Sequence, residues 1–311
     1  MKKNSFGLVS LLMAFCMFSC GSGNTGQGLQ GMKNPPKHVI LVGFDGLSAY
    51  RLNHGPEMPN FRKLVADGSS TFKNRSVLPS SSAVNWASMF MGAGPELHGY
   101  TTWNTRIPDL PSRVLTENNM FPDLYYTIHK THPKAELGFI YEWKGMRYVV
   151  DTLSINYIQN VELSGENTKE ALASTLNYIT TKKPAFCSVV FAQPDNAGHK
   201  YGWDSPEYTA QMEHVDVALG EIVKAVKDAG MFDETVFVLS ADHGGIDKKH
   251  GGKTMKEMQT AVVFSGKGIK KGFTIPESTM VYDIAGTIGY IFGIEQPQVW
   301  IARPIKSIFV E

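Results

Sequence analysis

The stretch "HVILVGFDGL", residues 38–47, is a continuous apolar run that ends in Asp-Gly. It lacks the in–out alternation of a strand with one wet face. A strand buried on both faces has this composition, and such strands belong to parallel sheets covered by helices on either side. Two later runs repeat the design: "PAFCSVVFAQPD" (184–195) and "TVFVLSADHGG" (235–245) are also β-prone and also end in Asp-bearing turns. "AELGFIYEW" (135–143) and "QTAVVFSG" (259–266) read as further strands.

Between these runs the period changes. Residues 59–67 suggest a helix opened by Pro59 and closed by Gly68. Residues 166–183 have helical propensity, with basic residues at the C-terminal end, where the helix dipole favours them. The clearest helix lies between Ser205 and Gly230. There Met212, Val215, Leu219, Ile222 and Val226 recur at spacings of three and four, with Ser205 as cap and Pro206 in the first turn. Residues 281–294 suggest a last helix. Such βα alternation without internal repeats predicts one α/β domain, a three-layer sandwich with a mainly parallel central sheet. Residues 95–121 have few periodic cues and read as a loop over the sheet edge, where substrate-shaping segments often sit.

Outside the domain, the N-terminus reads as a targeting signal. "MKKN" is a positive start and "FGLVSLLMAFCMF" an apolar core too short to span a bilayer comfortably. "FSCGSG" resembles a bacterial lipobox, which implies cleavage and lipidation at Cys20. The expected organisation is a signal peptide over 1–20, a Gly-rich tether over 21–36 and a single domain over 37–311. The expected location is extracytoplasmic, at the periplasmic face of a membrane or the cell surface, anchored by lipid and not spanning. Cys16 and Cys20 fall in the leader, so Cys187 stands alone, which excludes an internal disulfide or a cysteine-rich zinc site. Net charge is +1, and −1 once Lys2 and Lys3 are removed with the leader. No basic footprint for a nucleic-acid polymer exists. A small ligand fits better.

Three predicted strand ends carry metal-ligand residue types: Asp45; Asp195 with His199; and Asp242 with His243, followed by His250. Sites in parallel sheets form outside the carboxyl ends of the strands, so these residues can converge. Each piece alone is weak: Asp-Gly is most often a turn, a serine triplet most often a cap, and a histidine in a Gly-rich loop is more often solvated. Together, three carboxylates and three histidines in one cleft call for cations among them. Mixed Asp and His donors suit zinc, with manganese and iron less specific choices. The loop "LPSSSAVNW" (78–86) offers a hydroxyl for activation before a helix start.

Taken in order, Asp45, the Pro79–Asn85 loop, "DNAGH" (195–199), "DHG" (242–244) and "HG" (250–251) resemble the alkaline phosphatase superfamily, and most nearly its type I phosphodiesterase/nucleotide pyrophosphatase branch. In that branch a Pro-x-x-nucleophile-x-x-Asn loop precedes a "PE-x-HG" turn, matched here by "PELHG" at 95–99. The resemblance covers the chain from about His38 onward and implies an alkaline phosphatase-like fold. It implies Ser82 as nucleophile and Asn85 as donor to a phosphoryl oxygen. It assigns one divalent ion to Asp45, Ser82, Asp242 and His243, and a second to Asp195, His199 and His250. Two in-line displacements through a phosphoserine, with retention at phosphorus, follow from it. The implied substrate is a small phosphodiester or pyrophosphate. The spacing of seven residues between His243 and His250 is shorter than in nucleotide-cleaving members, which carry an inserted segment there. A phosphomonoesterase is the nearest rival and would need extra positive charge, for which Arg75, Arg106 and Arg147 are the candidates. A sulfatase would need an x-Pro-x-Arg pattern that "SSSAVNW" lacks. A non-catalytic binding lipoprotein would be expected to have lost ligands.

Overall fold

The structure is a computed structural model that describes residue 1, residues 31–162 and residues 168–310. The leader, Cys20 and residues 21–30 lie outside the described residues. Packing begins before residue 37: Met32 lies against the core and Pro36 is buried.

Among the described residues, eight strands form one sheet in the order β4-β3-β5-β1-β6-β7-β2-β8. They are β1 His38–Phe44, β2 Gly68–Arg75, β3 Leu137–Tyr141, β4 Tyr157–Asn160, β5 Phe186–Phe191, β6 Thr235–Ser240, β7 Gln259–Gly266 and β8 Phe273–Thr274. Only β7 runs against the others, pairing antiparallel with β6 and β2. The remaining ladders are parallel. The helices are α1 Ala49–Asn53, α2 Pro59–Ala66, α3 Ser82–Met91, α4 Pro95–His98, α5 Leu124–Thr131, α6 Lys169–Lys182, α7 Asp195–Tyr201, α8 Pro206–Asp228, α9 Met255–Met258 and α10 Asp283–Ile291.

The sheet separates two apolar cores. Val39 and Leu41 of β1 face α3, α5 and α10. Ile40, Val42 and Phe44 face α2, α6 and α8. Side chains of a strand alternate between faces, so an unbroken apolar run is what a doubly covered strand requires. The three-layer α/β sandwich is therefore as expected. In α8 the stripe from Met212 to Val226 is buried, Ser205 Oγ accepts from the Tyr208 N–H at 3.1 Å, and Gly230 takes φ +68° just past the end.

β2 differs from expectation. The helix does stop just before Gly68, with Asp67 as its cap, but Gly68 then opens a strand that the sequence reading did not include, "GSSTFKNR", whose first half is buried although polar. Two of its polar side chains find partners on other elements. Asn74 Nδ2 donates to Thr260 Oγ1 at 2.9 Å, and Ser69 Oγ donates to the Lys270 carbonyl at 2.8 Å. A Cβ at residue 68 would meet the Phe264 carbonyl oxygen at 2.2 Å, so only glycine permits this approach to β7.

Candidate metal centre and active site

β5, β1 and β6 are neighbours in that order. Adjacent strands lie roughly 4.8 Å apart, so the residues just past their carboxyl ends are brought together. These are Asp195 after β5, Asp45 after β1 and Asp242 after β6. The backbone link continues past the sheet: Asp45 N donates to the Phe191 carbonyl at 2.9 Å and Asp195 N to the Asp45 carbonyl at 3.0 Å.

The Asp45 side chain is aimed from both sides. Trp86 Nε1 donates to its Oδ2 at 3.2 Å, while Oδ1 lies 3.5 Å from both Ser82 Oγ and His243 Nε2. His243 Nε2 is also 3.2 Å from Ser82 Oγ and 3.2 Å from Asp242 Oδ2. The second oxygen of Asp242, Oδ1, accepts from Gly46 N at 3.1 Å. A few ångströms away, His199 Nε2 lies 3.4 Å from Asp195 Oδ2, and His250 Nε2 lies 3.8 Å from Asp195 Oδ1. The rings of His243 and His250 stack at 3.7 Å and join the two groups. The structure thus brings together Asp45, Ser82, Asp242 and His243 in one group and Asp195, His199 and His250 in another, while Asp195 also approaches Asp45 and His243.

Do these donors fit metal ions? Nδ1 of His243, His250 and His199 lies 2.8, 3.0 and 3.0 Å from the carbonyl oxygens of Gly244, Ser80 and Lys248. A carbonyl only accepts, so each Nδ1 carries the ring proton and each Nε2 presents a lone pair. Yet the Nε2 atoms of His199 and His250 face each other at 3.1 Å. Two lone pairs at that distance repel unless a cation lies between them. Asp195 Oδ1 and Asp242 Oδ2 are buried without a hydrogen-bond donor. Tetrahedral zinc with ligand bonds near 2.1 Å needs donors about 3.4 Å apart, which is the spacing observed.

Charge energetics agree. Burial pushes the Asp45 and Asp242 carboxyls well above the usual range, and neighbouring carboxylates add to it: Asp195 acts on Asp45, and Asp45 on Asp242. Burial raises Asp195 to about 7. Burial, then the nearby His250, drives His243 well below the ordinary imidazole value, and burial lowers His250 to about 4. Carboxyls that resist charging and imidazoles that resist protonation are both relieved by a divalent cation.

The three serines are separated by their partners. Ser80 Oγ donates to the Gly252 carbonyl at 2.6 Å, and Ser81 Oγ is buried without a partner. Ser82 Oγ alone of the three meets the cluster, and it stands at the first position of α3, where the helix dipole favours an alkoxide. Asn85 departs from its expected role. Its Oδ1 accepts from Val77 N at 2.7 Å, and its Nδ2 lies 3.3, 3.1 and 3.1 Å from the carbonyls of Val77, Pro79 and Ser81. Both amide protons are spent on the loop, so Asn85 shapes the serine turn and has none left for a phosphoryl oxygen. The Ala83 N–H is likewise taken by the Trp103 carbonyl at 3.1 Å.

A cavity of about 410 Å³ opens over Ser82, Asp45, Asp195, His199 and His250. Trp103, from the segment over residues 95–121 that opens with α4, lines it. Arg75, Arg106 and Arg147 do not. The last two lie over the Tyr148 ring at 5.6 and 5.7 Å and line a separate cavity. His98 is fully buried, 2.9 Å from Ser88 Oγ, and accepts from Tyr100 N at 3.1 Å, so it braces the turn after α3.

Sequence reasoning missed the supports. Trp203 wedges between α7 and the 242–252 loop, donates from Nε1 to the Gly46 carbonyl at 3.0 Å and meets His199 edge-on at 5.3 Å. A Cβ at Gly198 or Gly245 would strike its ring. Glu257 accepts from Gly252 N at 2.8 Å and completes a capping box with Thr254, which anchors the far end of that loop. The only available signal for Trp86 was its place four residues after Ser82, one helical turn on.

The fold is of the alkaline phosphatase type, and its site carries Asp and His groups that could hold metal ions. The mouse ectonucleotide pyrophosphatase/phosphodiesterase 5, solved as an inactive variant with AMP, superposes with a TM-score of 0.70 at 14% identity, covering 84% of this chain and 96% of that one. A 2-O glycosaminoglycan sulfatase gives 0.68 at 15% identity, covering 88% and 73%. A phosphonate monoester hydrolase from Silicibacter pomeroyi gives 0.66 at 16%, covering 87% and 76%. The family model for type I phosphodiesterase/nucleotide pyrophosphatase matches residues 39–281, and this chain belongs to that family. Among curated relatives, venom phosphodiesterase 2 of Crotalus adamanteus is 26% identical over 238 residues, covering 72% of this chain and 28% of the relative. Bovine bis(5'-adenosyl)-triphosphatase ENPP4 is 23% identical over 268 residues, covering 76% and 52%. The chain therefore spans between about a quarter and a half of the length of these relatives.

Proposed function

We propose that this protein is a metal-dependent phosphodiester hydrolase that acts outside the cytoplasm on a small substrate through a phosphoseryl intermediate on Ser82. The observation that carries the reading is Ser82 Oγ at the start of α3, 3.2 Å from a His243 Nε2 whose lone pair faces the carboxyl cluster. Two divalent ions, with zinc favoured by the donor set, would supply the charge that stabilises the Ser82 alkoxide and the departing oxygen. Asp45, Asp242 and His243 would hold the ion on the serine side, and Asp195, His199 and His250 the other. Ser82 Oγ bonds to phosphorus as the bond to the first alcohol breaks. Water then displaces Oγ, so two inversions give retention. Asn85 keeps the serine turn closed.

A diester is favoured over a monoester because Lys144, exposed, is the only lysine or arginine among the described residues that line the cavity. A dianionic ester would lack a buried counter-charge. Lipid anchoring through Cys20 and an extracytoplasmic location belong to this proposal and rest on the leader. No helix among the described residues is long and apolar enough to cross a membrane. The test is a panel with zinc-loaded protein: bis-p-nitrophenyl phosphate, p-nitrophenyl phosphate, the thymidine-5′-monophosphate p-nitrophenyl ester and p-nitrophenyl sulfate. The diesters should turn over fastest. Preference for the monoester would replace this reading with a phosphomonoesterase.

A further inference from the structure

One wall of the cavity is unlike the metal side. It is formed by Trp103, Glu142, Trp143, Lys144, Glu162 and Asn196. Glu142 follows the carboxyl end of β3, the strand beside β5, and is 5% exposed. Its Oε2 accepts from the Ala192 N–H at 2.8 Å. Its Oε1 has no protein donor among the described hydrogen bonds, although the residue lines the cavity. Trp143 is half-buried, and a Cβ at Gly145 would meet its indole at 2.2 Å, so that ring lies directly on the glycine backbone. Trp103 is 61% exposed, with its carbonyl tied to the first turn of α3 by the Ala83 N–H.

A second phosphate on this wall would meet two carboxyl groups and one exposed lysine. An organic cation would meet the carboxyls but also Lys144. A neutral group rich in hydroxyls meets no such conflict. Each hydroxyl both donates and accepts, which matches carboxyl oxygens, the Asn196 amide and the lysine, while the C–H faces of a sugar ring or glycerol pack on indole. Burial raises Glu142 to about 8, so near neutral pH it can donate as well as accept. A cavity of about 410 Å³ lies toward the small end of ligand pockets and leaves room beside the phosphate for one such group.

We propose that one alcohol of the natural phosphodiester is a neutral, polyhydroxylated sugar bound against Glu142, Trp103 and Trp143. The inference rests on the phosphodiesterase reading and adds the substrate class. Four p-nitrophenyl phosphodiesters, differing only in the second alcohol, test it by p-nitrophenol release: glucose through its 6-oxygen, thymidine through its 5′-oxygen, choline, and phenol as reference. The glucose ester should exceed the phenyl ester in kcat/KM by about tenfold or more. Glu142→Gln and Trp143→Ala should each lower kcat/KM for the glucose ester about tenfold more than for the phenyl ester, chiefly through KM. Melting temperatures of both variants separate this from a folding defect, and either variant alone suffices. A wild-type enzyme that turns over the phenyl ester but favours thymidine or choline, or shows no advantage for glucose, overturns the polyol assignment and leaves the phosphodiesterase reading standing. Failure of the zinc-loaded protein on all four esters overturns both.

Discussion

At the residue scale the site is a set of aimed atoms. Ser82→Ala should lower diester turnover by at least about 10³-fold with metal content retained, because removing a nucleophile disables the chemistry and three other donors still hold the ion. Ser81→Ala should stay near wild type, since its hydroxyl touches no polar partner. Rate assays with elemental analysis check both. Trp86→Phe keeps an aromatic ring under β1 but removes the N–H that orients Asp45. Loss of such an outer contact costs roughly 10- to 100-fold in metal affinity or activity, measurable by chelator competition. The candidate aspartates were legible in the chain because each follows an apolar run at a strand end. The role of Asn85 was not, because a motif states which residue is present and not where its amide protons go.

At the element scale, neighbouring strand ends and one short loop build the centre. The loop from Asp242 to Gly252 serves both donor groups by folding back over Trp203. Gly245→Ala would press a methyl group into that indole. It should cost about 1–3 kcal/mol of stability by overpacking, and weaken metal binding by displacing His250. Thermal melts and zinc titration read the two effects. Leu219→Ala in α8 removes a fully buried side chain far from the chemistry. It should cost about 2–5 kcal/mol with kcat unchanged at temperatures where the protein remains folded. α8 could be read from its periodicity. β2 could not, because its buried Ser69 and Asn74 find partners near β8 and on β7 that lie about two hundred residues away.

At the scale of the whole molecule, the buried carboxyls tie stability to pH and to metal. Above about pH 7.5 an ordinary histidine is mostly neutral whether folded or unfolded, so the lowered His243 and His250 contribute little slope. Asp195 and Asp123, near 7, and Glu142, near 8, are raised by burial, as are Asp45 and Asp242. Their unfolded counterparts ionise near 4, so the folded state holds more protons in this window and stability falls as pH rises. Metal-stripped protein should therefore lose melting temperature between about pH 7.5 and 9. Zinc-loaded protein should show a flatter profile, because the ions neutralise three of the five carboxyls. Calorimetry with and without chelator measures the difference.

By itself, the sequence determined the doubly covered parallel sheet, the main helices, the family and the seven residues that the fold gathers at the candidate site. Apolar runs, helical periods and ordered motifs are local, and locality makes them readable. Tertiary structure decided what depends on distant neighbours: the β5-β1-β6 adjacency that joins three aspartates, the tautomers that aim three imidazoles, the indoles of Trp86 and Trp203 behind the ligands, and the wall around Glu142. None of these is a property of a segment. Each arises when surfaces remote in the chain are packed together and their unsatisfied polar atoms must find partners.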